Sequence, residues 1–415
     1  MSSEIKQRGP AAGKFFYGWV VALCCTLITI VNGGVFFSFS VFFKPVALDF
    51  GWSRGEFASS YTAMLVAYAP GAFFAGRLAD KHGPRVILLL AALLIGLGFI
   101  GCSQSPNLVF MILSYATIGL GLGATLALPT ATIQRWFTKW RGPVVGIVVA
   151  GTGIGGFTFA PVANYLITLY GWQSAYLIMG VIYGGIVAVS ASFLVSEPKM
   201  KQLSPFGDEG QGQVSGSRIQ NGTLSGLTSP QAFKSRAFWG MAAICILIFT
   251  PDFFIKSHLV PYVTDRGVSV AVGAQGLGLI AGMSVAGRAA MTWLATRIGW
   301  TKSLAISCFI TSISVIWLVF VTNTEAFYLF VVVYGFFWGS TTALLIGAVG
   351  FLFGLLALSE LLGFLLGLGV LVGAVAPLLG GLSFDLTGSY LIAMAVAAFF
   401  LAIAGLLSFL LRPPR

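Results

Sequence analysis

Charge is what this 415-residue chain has least of: Asp, Glu, Lys and Arg together make up 8% of it, against about 25% in a soluble domain. A water-soluble fold of this length could not cover its surface with so few charges. Acidic residues number 12 and histidines two. That leaves little acid–base machinery, and no Ser-His-Asp set, metal cluster or phosphate-cradling loop is present, so neither enzyme activity nor a metal or cofactor is expected. The five cysteines (Cys24, Cys25, Cys102, Cys245, Cys308) lie within or at the edge of apolar runs. They read as small hydrophobes, without disulfides. No cleavable signal peptide is expected, because the first apolar run follows Lys14 and is too long for a signal core.

What the chain has instead is apolar length. Hydrophobic residues make up 57% of it, in stretches of roughly 20 residues or more, the length that crosses a hydrocarbon core. They fall at about 15–45, 55–78, 86–103, 108–133, 142–168, 173–195, 236–262, 274–296, 303–321, 326–352, 359–386 and 389–411. The expected fold class is an all-α membrane protein of twelve transmembrane helices. A net charge of +11 does not point to nucleic acid, since the basic residues are scattered among short loops. With the N-terminus inside, 18 of the 23 Lys and Arg fall on the cytoplasmic side and three (Lys44, Arg54, Arg266) outside. Two more, Lys256 and Arg288, lie inside spans. This bias predicts that both termini are cytoplasmic, in a multi-pass protein of the cell membrane, with a bacterial inner membrane as the expected setting.

One long polar segment, 196–235, rich in Gly, Ser, Gln and Asn, reads as a flexible cytoplasmic linker. It divides an N-terminal six-helix bundle (1–195) from a C-terminal one (236–415). The halves match at an offset of 216. Leu78, Ala79 and Gly83 correspond to Leu294, Ala295 and Gly299, and Gly119 to Gly335. Gly151, Gly153, Ala160 and Pro161 correspond to Gly367, Gly369, Ala376 and Pro377. Parallel six-helix repeats are a transporter architecture, with the substrate site at their interface near the midplane. The 53 glycines suit closely approaching helices, whether for plain packing or for helices that slide.

The loop Gly76-Arg77-Leu78-Ala79-Asp80-Lys81-His82-Gly83-Pro84-Arg85 resembles the signature G-x-x-x-D-[RK]-x-G-x-[RK] of the major facilitator superfamily. The resemblance implies a gating loop on the cytoplasmic side, with Gly76, Asp80, Gly83 and Arg85 as its motif residues and Arg141 as a partner for Asp80. The second-half copy has Thr296 where Asp80 stands, so the latch is expected to be one-sided. Within the superfamily, further segments resemble bacterial monocarboxylate porters: Phe16-Tyr17-Gly18-Trp19, Val41-Phe42-Phe43-Lys44-Pro45, Phe50-Gly51-Trp52-Ser53-Arg54, Arg135-Trp136-Phe137, His258-Leu259-Val260-Pro261-Tyr262 and Phe384-Asp385-Leu386-Thr387-Gly388-Ser389-Tyr390. The resemblance implies transport of a small monocarboxylate anion such as lactate or pyruvate, usually with a proton. The oxalate–formate antiporters share several of these segments, which keeps anion exchange as the alternative. Two departures stand out. Phe37 occupies the position of a first-span lysine of animal members, and Ser284 stands four residues before Arg288 where they have an aspartate.

Ionisable groups at membrane depth cost about 2.5–3.5 kcal/mol each on insertion scales and are functional by default. Asp252 and Lys256 in the seventh span and Arg288 in the eighth are such groups. Arg288 can grip a carboxylate through two parallel bonds, or alternatively pair with a protein carboxylate such as Glu360. Asp252 and Lys256 share a helix face. They form either a self-neutralising pair or a proton-coupling site in which Asp252 carries the proton. If they cancel, Arg288 is left as one positive charge, which a monoanion neutralises. His258 is a proton relay or, more simply, an interfacial histidine near the outer end. Phe37, Tyr334 and Trp338, with Ser284, are candidates to shape the substrate pocket, against the plain reading of aromatics as packing.

Overall fold

The structure, a computed structural model, describes residues 16–137, 140–207, 226–354 and 356–412, and the side chains of Asp80, Arg141 and Ser359 fall outside the described set. Long runs of Leu, Ala, Val and Phe leave no backbone group unpaired only if they coil, and in lipid that requirement is strict. The chain accordingly forms helix almost throughout. α1 is Gly18–Phe50, α2 Arg54–His82, α3 Pro84–Ser103 and α4 Leu108–Trp136. Arg141–Phe193 is broken by Gly171 at φ 78° into α5 (141–170) and α6 (172–193). α7 is Arg236–Asp265, α8 Val270–Ile298, α9 Trp300–Leu318 and α10 Thr324–Phe353. α11 runs Leu358–Gly373 and, after a short interruption, Ala376–Thr387; α12 is Leu391–Leu410.

Ten helical stretches are long and apolar enough to cross a membrane. One of these holds both α5 and α6, and α2, which carries Arg54, Glu56, Arg77 and Lys81, completes twelve among the described residues. α7 contains both Pro251 and Pro261 inside its helical span.

The 216-residue offset is built into the backbone. Ser53 and Ser269 both cap the second helix of their half, each accepting from a backbone N–H three residues on. Asn107 and Asn323 do the same for the fourth. Gly83 (φ 82°, ψ 151°) and Gly299 (φ 100°, ψ 151°) make the same turn, in a region that favours glycine. Helix packing repeats in register as well. A Cβ on Gly71 would meet the carbonyl oxygen of Leu120 at 2.4 Å, and one on Gly287 would meet that of Phe336 at 1.8 Å. Both pairs are related by 216, so the α2–α4 crossing recurs as α8–α10 at a separation only glycine allows.

The halves meet where α5 packs on α8 and α2 on α11. At the first seam Gly153 and Gly156 lie against Ala281; at the second Gly381 lies against the backbone of Arg54 and Gly55. The expected linker is not bare at its start. Phe206 sets its ring 5.4 Å from Phe16 and 5.8 Å from Phe137, and its N–H donates to the Trp136 carbonyl at 2.9 Å. An aromatic residue next to an apolar helix end has surface to bury that the polar composition around it conceals. Residues 208–225, the polar centre of that segment, lie outside the described residues.

Candidate functional site

The charges inside the spans converge on the space between the halves. Asp252 and Lys256, one turn apart on α7, form an ion pair at 2.9 Å. Asp252 Oδ2 takes the lysine, while its Oδ1 is buried and has no hydrogen-bond partner. Among the described residues it is the only buried carboxylate oxygen left in that state. A buried unsatisfied acceptor costs roughly 1–3 kcal/mol, more when charged, so it marks a place where gaining a proton, a water or a ligand group is favourable. The lysine is held by rings as well as by charge: its Nζ sits 4.6 Å over Trp338 and 5.3 Å over Phe37.

These groups line a small cavity together with Ile255, Leu277, Ile280 and Tyr334. α1 belongs to the first half and α7, α8 and α10 to the second, so the cavity is shared between them. Its volume is about 10 Å³, the space of a single water. Tyr334 and Trp338 are stacked with planes 3° apart, and Phe37 meets Trp338 edge-on at 6.3 Å. The arrangement is a narrow aromatic cleft around one ion pair, with the Lys256 side chain partly exposed.

Arg288 does not line this cavity. Its Nε donates to the carbonyl of Gly339, next in the chain to Trp338, at 3.2 Å. That reach exists because α8 and α10 cross at Gly287 and Gly339. Arg288 has no ion pair among the described residues, although its charge acts on Asp252. Glu360, the protein carboxylate considered as its partner, instead accepts a hydrogen bond from Ser229. Ser284 is turned inward to its own helix, donating to the Ala281 carbonyl at 2.6 Å and packing against Gly339. Of the sequence candidates, Phe37, Asp252, Lys256, Tyr334 and Trp338 come together; Arg288 stands beside them and Ser284 does not join.

His258 departs from the expectation of an interfacial histidine, although it lies near the expected end. It is fully buried, with Nε2 2.8 Å from the Pro377 carbonyl and Nδ1 3.0 Å from the Tyr390 hydroxyl. A carbonyl only accepts, so Nε2 carries the proton. The apolar run around His258 resembles a boundary helix in sequence, but its neighbours here are Phe43, Phe254 and Tyr390. It therefore belongs to a second cluster, at the end of the bundle formed by the α1–α2 turn.

That cluster was not anticipated as a unit. Arg54 donates through Nη1 to the Tyr390 hydroxyl at 2.9 Å and pairs through Nη2 with Asp265 at 2.6 Å. Its guanidinium lies 3.6 Å over the Phe384 ring. Lys44 takes the other oxygen of Asp265 at 2.6 Å. Asp385 accepts from the backbone N–H groups of Arg54 (2.9 Å) and Gly55 (2.7 Å), capping the start of α2 from the other half of the molecule. Ser40 accepts from the N–H of Val260 at 3.1 Å. Among the described residues, every side-chain hydrogen bond and ion pair joining the halves lies at this end. The signal was present in sequence: Phe50–Arg54 and Phe384–Tyr390 each stood out, but their meeting could not be read from either.

At the opposite end, Gly83 makes the turn between α2 and α3, Gly76 faces open space, and Arg85 is exposed. The expected Asp80–Arg141 contact involves side chains outside the described residues.

The sequence profile of the Major Facilitator Superfamily matches residues 25–357. The chain belongs to the major facilitator superfamily. Monocarboxylate transporter 12-B of Danio rerio is 26% identical over 99% of this chain and 90% of its own length. The oxalate:formate antiporter of Oxalobacter formigenes is 25% identical over 66% of this chain and 62% of its own. Among solved structures, a bacterial homologue of the human lysosomal transporter Spinster, in an inward-facing and unoccupied conformation, superposes with a TM-score of 0.76. That match covers 96% of this chain and 97% of the other at 15% identity, and shows the fold. This major facilitator protein is thus a membrane-embedded transporter of twelve helices, similar to the monocarboxylate transporters, and not an enzyme.

Proposed function

We propose that this chain carries a small monocarboxylate, such as L-lactate or pyruvate, across the membrane together with a proton by alternating access. The observation that carries this reading is the Asp252–Lys256 pair, flanked by aromatic rings with one carboxylate oxygen unsatisfied and Arg288 beside it without an ion pair among the described residues. The six-helix units 1–195 and 236–415, joined by 196–235, rock about this centre. Both termini are cytoplasmic in a cell membrane, a bacterial inner membrane being the natural setting, so the α1–α2 end faces outward.

The chemistry follows from charge. With Asp252 ionised the centre holds two cations and one anion, and an incoming carboxylate is drawn to Arg288 and Lys256. As Lys256 turns toward the substrate, Asp252 loses its counter-charge and takes a proton, since a buried carboxylate without one is costly. Substrate anion and proton then travel together, and the cycle moves no net charge. Each unit of pH gradient contributes about 1.36 kcal/mol to accumulation. The cavity holds about one water, so lactate enters only when the halves part. Phe37, Tyr334 and Trp338 close on its carbon skeleton, while Gly76, Asp80, Gly83, Arg85 and Arg141 govern the cytoplasmic opening. His258, tied up by Pro377 and Tyr390, serves the outer cluster more readily than proton transfer.

Lactate uptake into proteoliposomes with an inward proton gradient tests this. Accumulation that collapses with a protonophore supports symport. The second reading, exchange of the oxalate–formate kind, is favoured by Lys256 and Arg288 standing as two cations near one centre. It predicts uptake that ignores the gradient and requires internal anion.

A further inference from the structure

The cluster at the α1–α2 end divides by sign between the halves. Both cations, Lys44 and Arg54, belong to the first half. Both carboxylates, Asp265 at the end of α7 and Asp385 on α11, belong to the second, as does Tyr390 before α12. Nothing in it is spare. Each oxygen of Asp265 has a cation and each oxygen of Asp385 has an N–H. Arg54 is the node, engaging Asp265, Asp385, Tyr390 and the Phe384 ring through its backbone, two guanidinium nitrogens and its flat face. From Tyr390 the chain of bonds continues to His258 on α7 and to the Pro377 carbonyl of α11.

We propose that Arg54 is the closing residue of an outer gate: the network it holds seals the entrance above the substrate cavity and must break as a unit for the cavity to open outward. The outward sense of this end rests on the orientation given under Proposed function. Arg54 touches no substrate and is a positioning residue, acting through α7. That helix carries Asp252 and Lys256 at the cavity and His258 and Asp265 in the gate. Asp252 and Asp265 are about 20 Å apart along a helix rising about 1.5 Å per residue. A shift of the gate end of α7 is therefore a shift of the ion pair, which links gate opening to the state of the central carboxylate. A latch built from polar contacts suits this role better than an apolar seal, because water replaces each contact once the halves separate. Three of the contacts, to Asp265, Tyr390 and the Phe384 ring, share one guanidinium, so cutting it releases those three at once.

Ser40 reports the state of the gate. It is fully buried below the network, with its hydroxyl on the Val260 N–H. In Ser40→Cys protein, the native thiols being buried, a membrane-impermeant thiosulfonate is applied separately to right-side-out and inside-out vesicles. Adding Arg54→Gln should raise labelling from the gate side about tenfold, the effect of losing a charge-assisted contact. Asp385→Asn should raise it less, and Arg54→Lys, which keeps the charge for Asp265, should restore part of the protection. Tyr390→Phe removes one hydroxyl and keeps the test open should Arg54→Gln fail to fold. In lactate exchange, gate variants should lower the turnover per binding-competent transporter, counted by lactate-binding stoichiometry, while leaving half-saturation within about twofold. Labelling of the introduced thiol that stays unchanged when folded protein also carries Arg54→Gln or Tyr390→Phe would overturn the proposal. Labelling that rises from the other membrane face would leave the gate standing and reverse the orientation. Labelling that rises in a protein that does not carry lactate would leave the gate standing and overturn the substrate.

Discussion

α7 carries two aspartates, Asp252 and Asp265, and their surroundings are opposite. Asp265, at the helix end, has both oxygens taken by cations, Lys44 and Arg54, that come from the other half of the molecule. Asp252, in the middle, has one oxygen on Lys256 of its own helix and the other without a well-formed hydrogen bond, beside the Trp338 indole. The first is saturated by contacts that cross the interface, so it holds the halves together. The second is unsaturated and self-contained, so it is ready for a group the chain does not supply. The same side chain thus serves as fastener or as receiver according to whether its hydrogen-bonding capacity is filled.

If the centre is the receiving region, changes there should act on transport itself. The largest effect is expected from Arg288→Ala, which removes the cation with no ion pair of its own among the described residues. Leaving a buried substrate carboxylate without its guanidinium costs about 2–5 kcal/mol, roughly thirtyfold or more in initial lactate uptake. Uptake close to that of the parent would break the comparison, because the centre would then lack its anion-seeking charge. Next comes Asp252→Asn, which fills the acceptor position permanently with a neutral group. Parent uptake should rise about tenfold as external pH falls by one unit below neutrality, while that of the variant should stay flat and its exchange of lactate for lactate persist. A pH response retained in the variant would move the proton elsewhere. Smaller still is Trp338→Ala, which opens the cage over Lys256. Discrimination against monocarboxylates one or two methylenes longer should weaken about fivefold in competition assays. Ser284→Ala should change uptake less than about twofold, since its hydroxyl donates to its own helix.

The fold was largely legible because apolar length, glycine turns and caps are local signals. The twelve spans, the Gly171 break between the fifth and sixth, and the repeat at 216 residues all come from patterns that a single segment carries. α2 is the instructive span. Its charged ends keep it out of the ten most apolar stretches, yet the apolar run 55–78 marks it as a span, closed by the Gly76–Arg85 loop. The interruption of α11 between Gly373 and Ala376 was not legible, because glycines around it are as frequent in unbroken helices. In the centre, Asp252 and Lys256 could be paired from their spacing alone. The absence of Arg288 from the cavity lining could not, since it depends on how α8 crosses α10 at Gly287 and Gly339. Ser284 is a candidate by its place in a motif, but that place does not reveal that its hydroxyl turns to the Ala281 carbonyl of its own helix. His258 looked like a boundary residue because nothing in its neighbourhood of sequence reveals that Tyr390, 132 residues on, covers it. The outer network lies wholly in this class. Its bonds join Lys44 and Arg54 to Asp265, Asp385 and Tyr390, partners from opposite halves of the chain that no local pattern relates.

Calorimetry of lactate binding to the purified protein, in two buffers of different ionisation enthalpy, reads the number of protons taken up per anion bound. At neutral pH the account predicts an uptake of about one proton per lactate in the parent, as Asp252 gives up Lys256 to the substrate, and none in Asp252→Asn. Binding without proton uptake in the parent, or the same uptake in the variant, would contradict it.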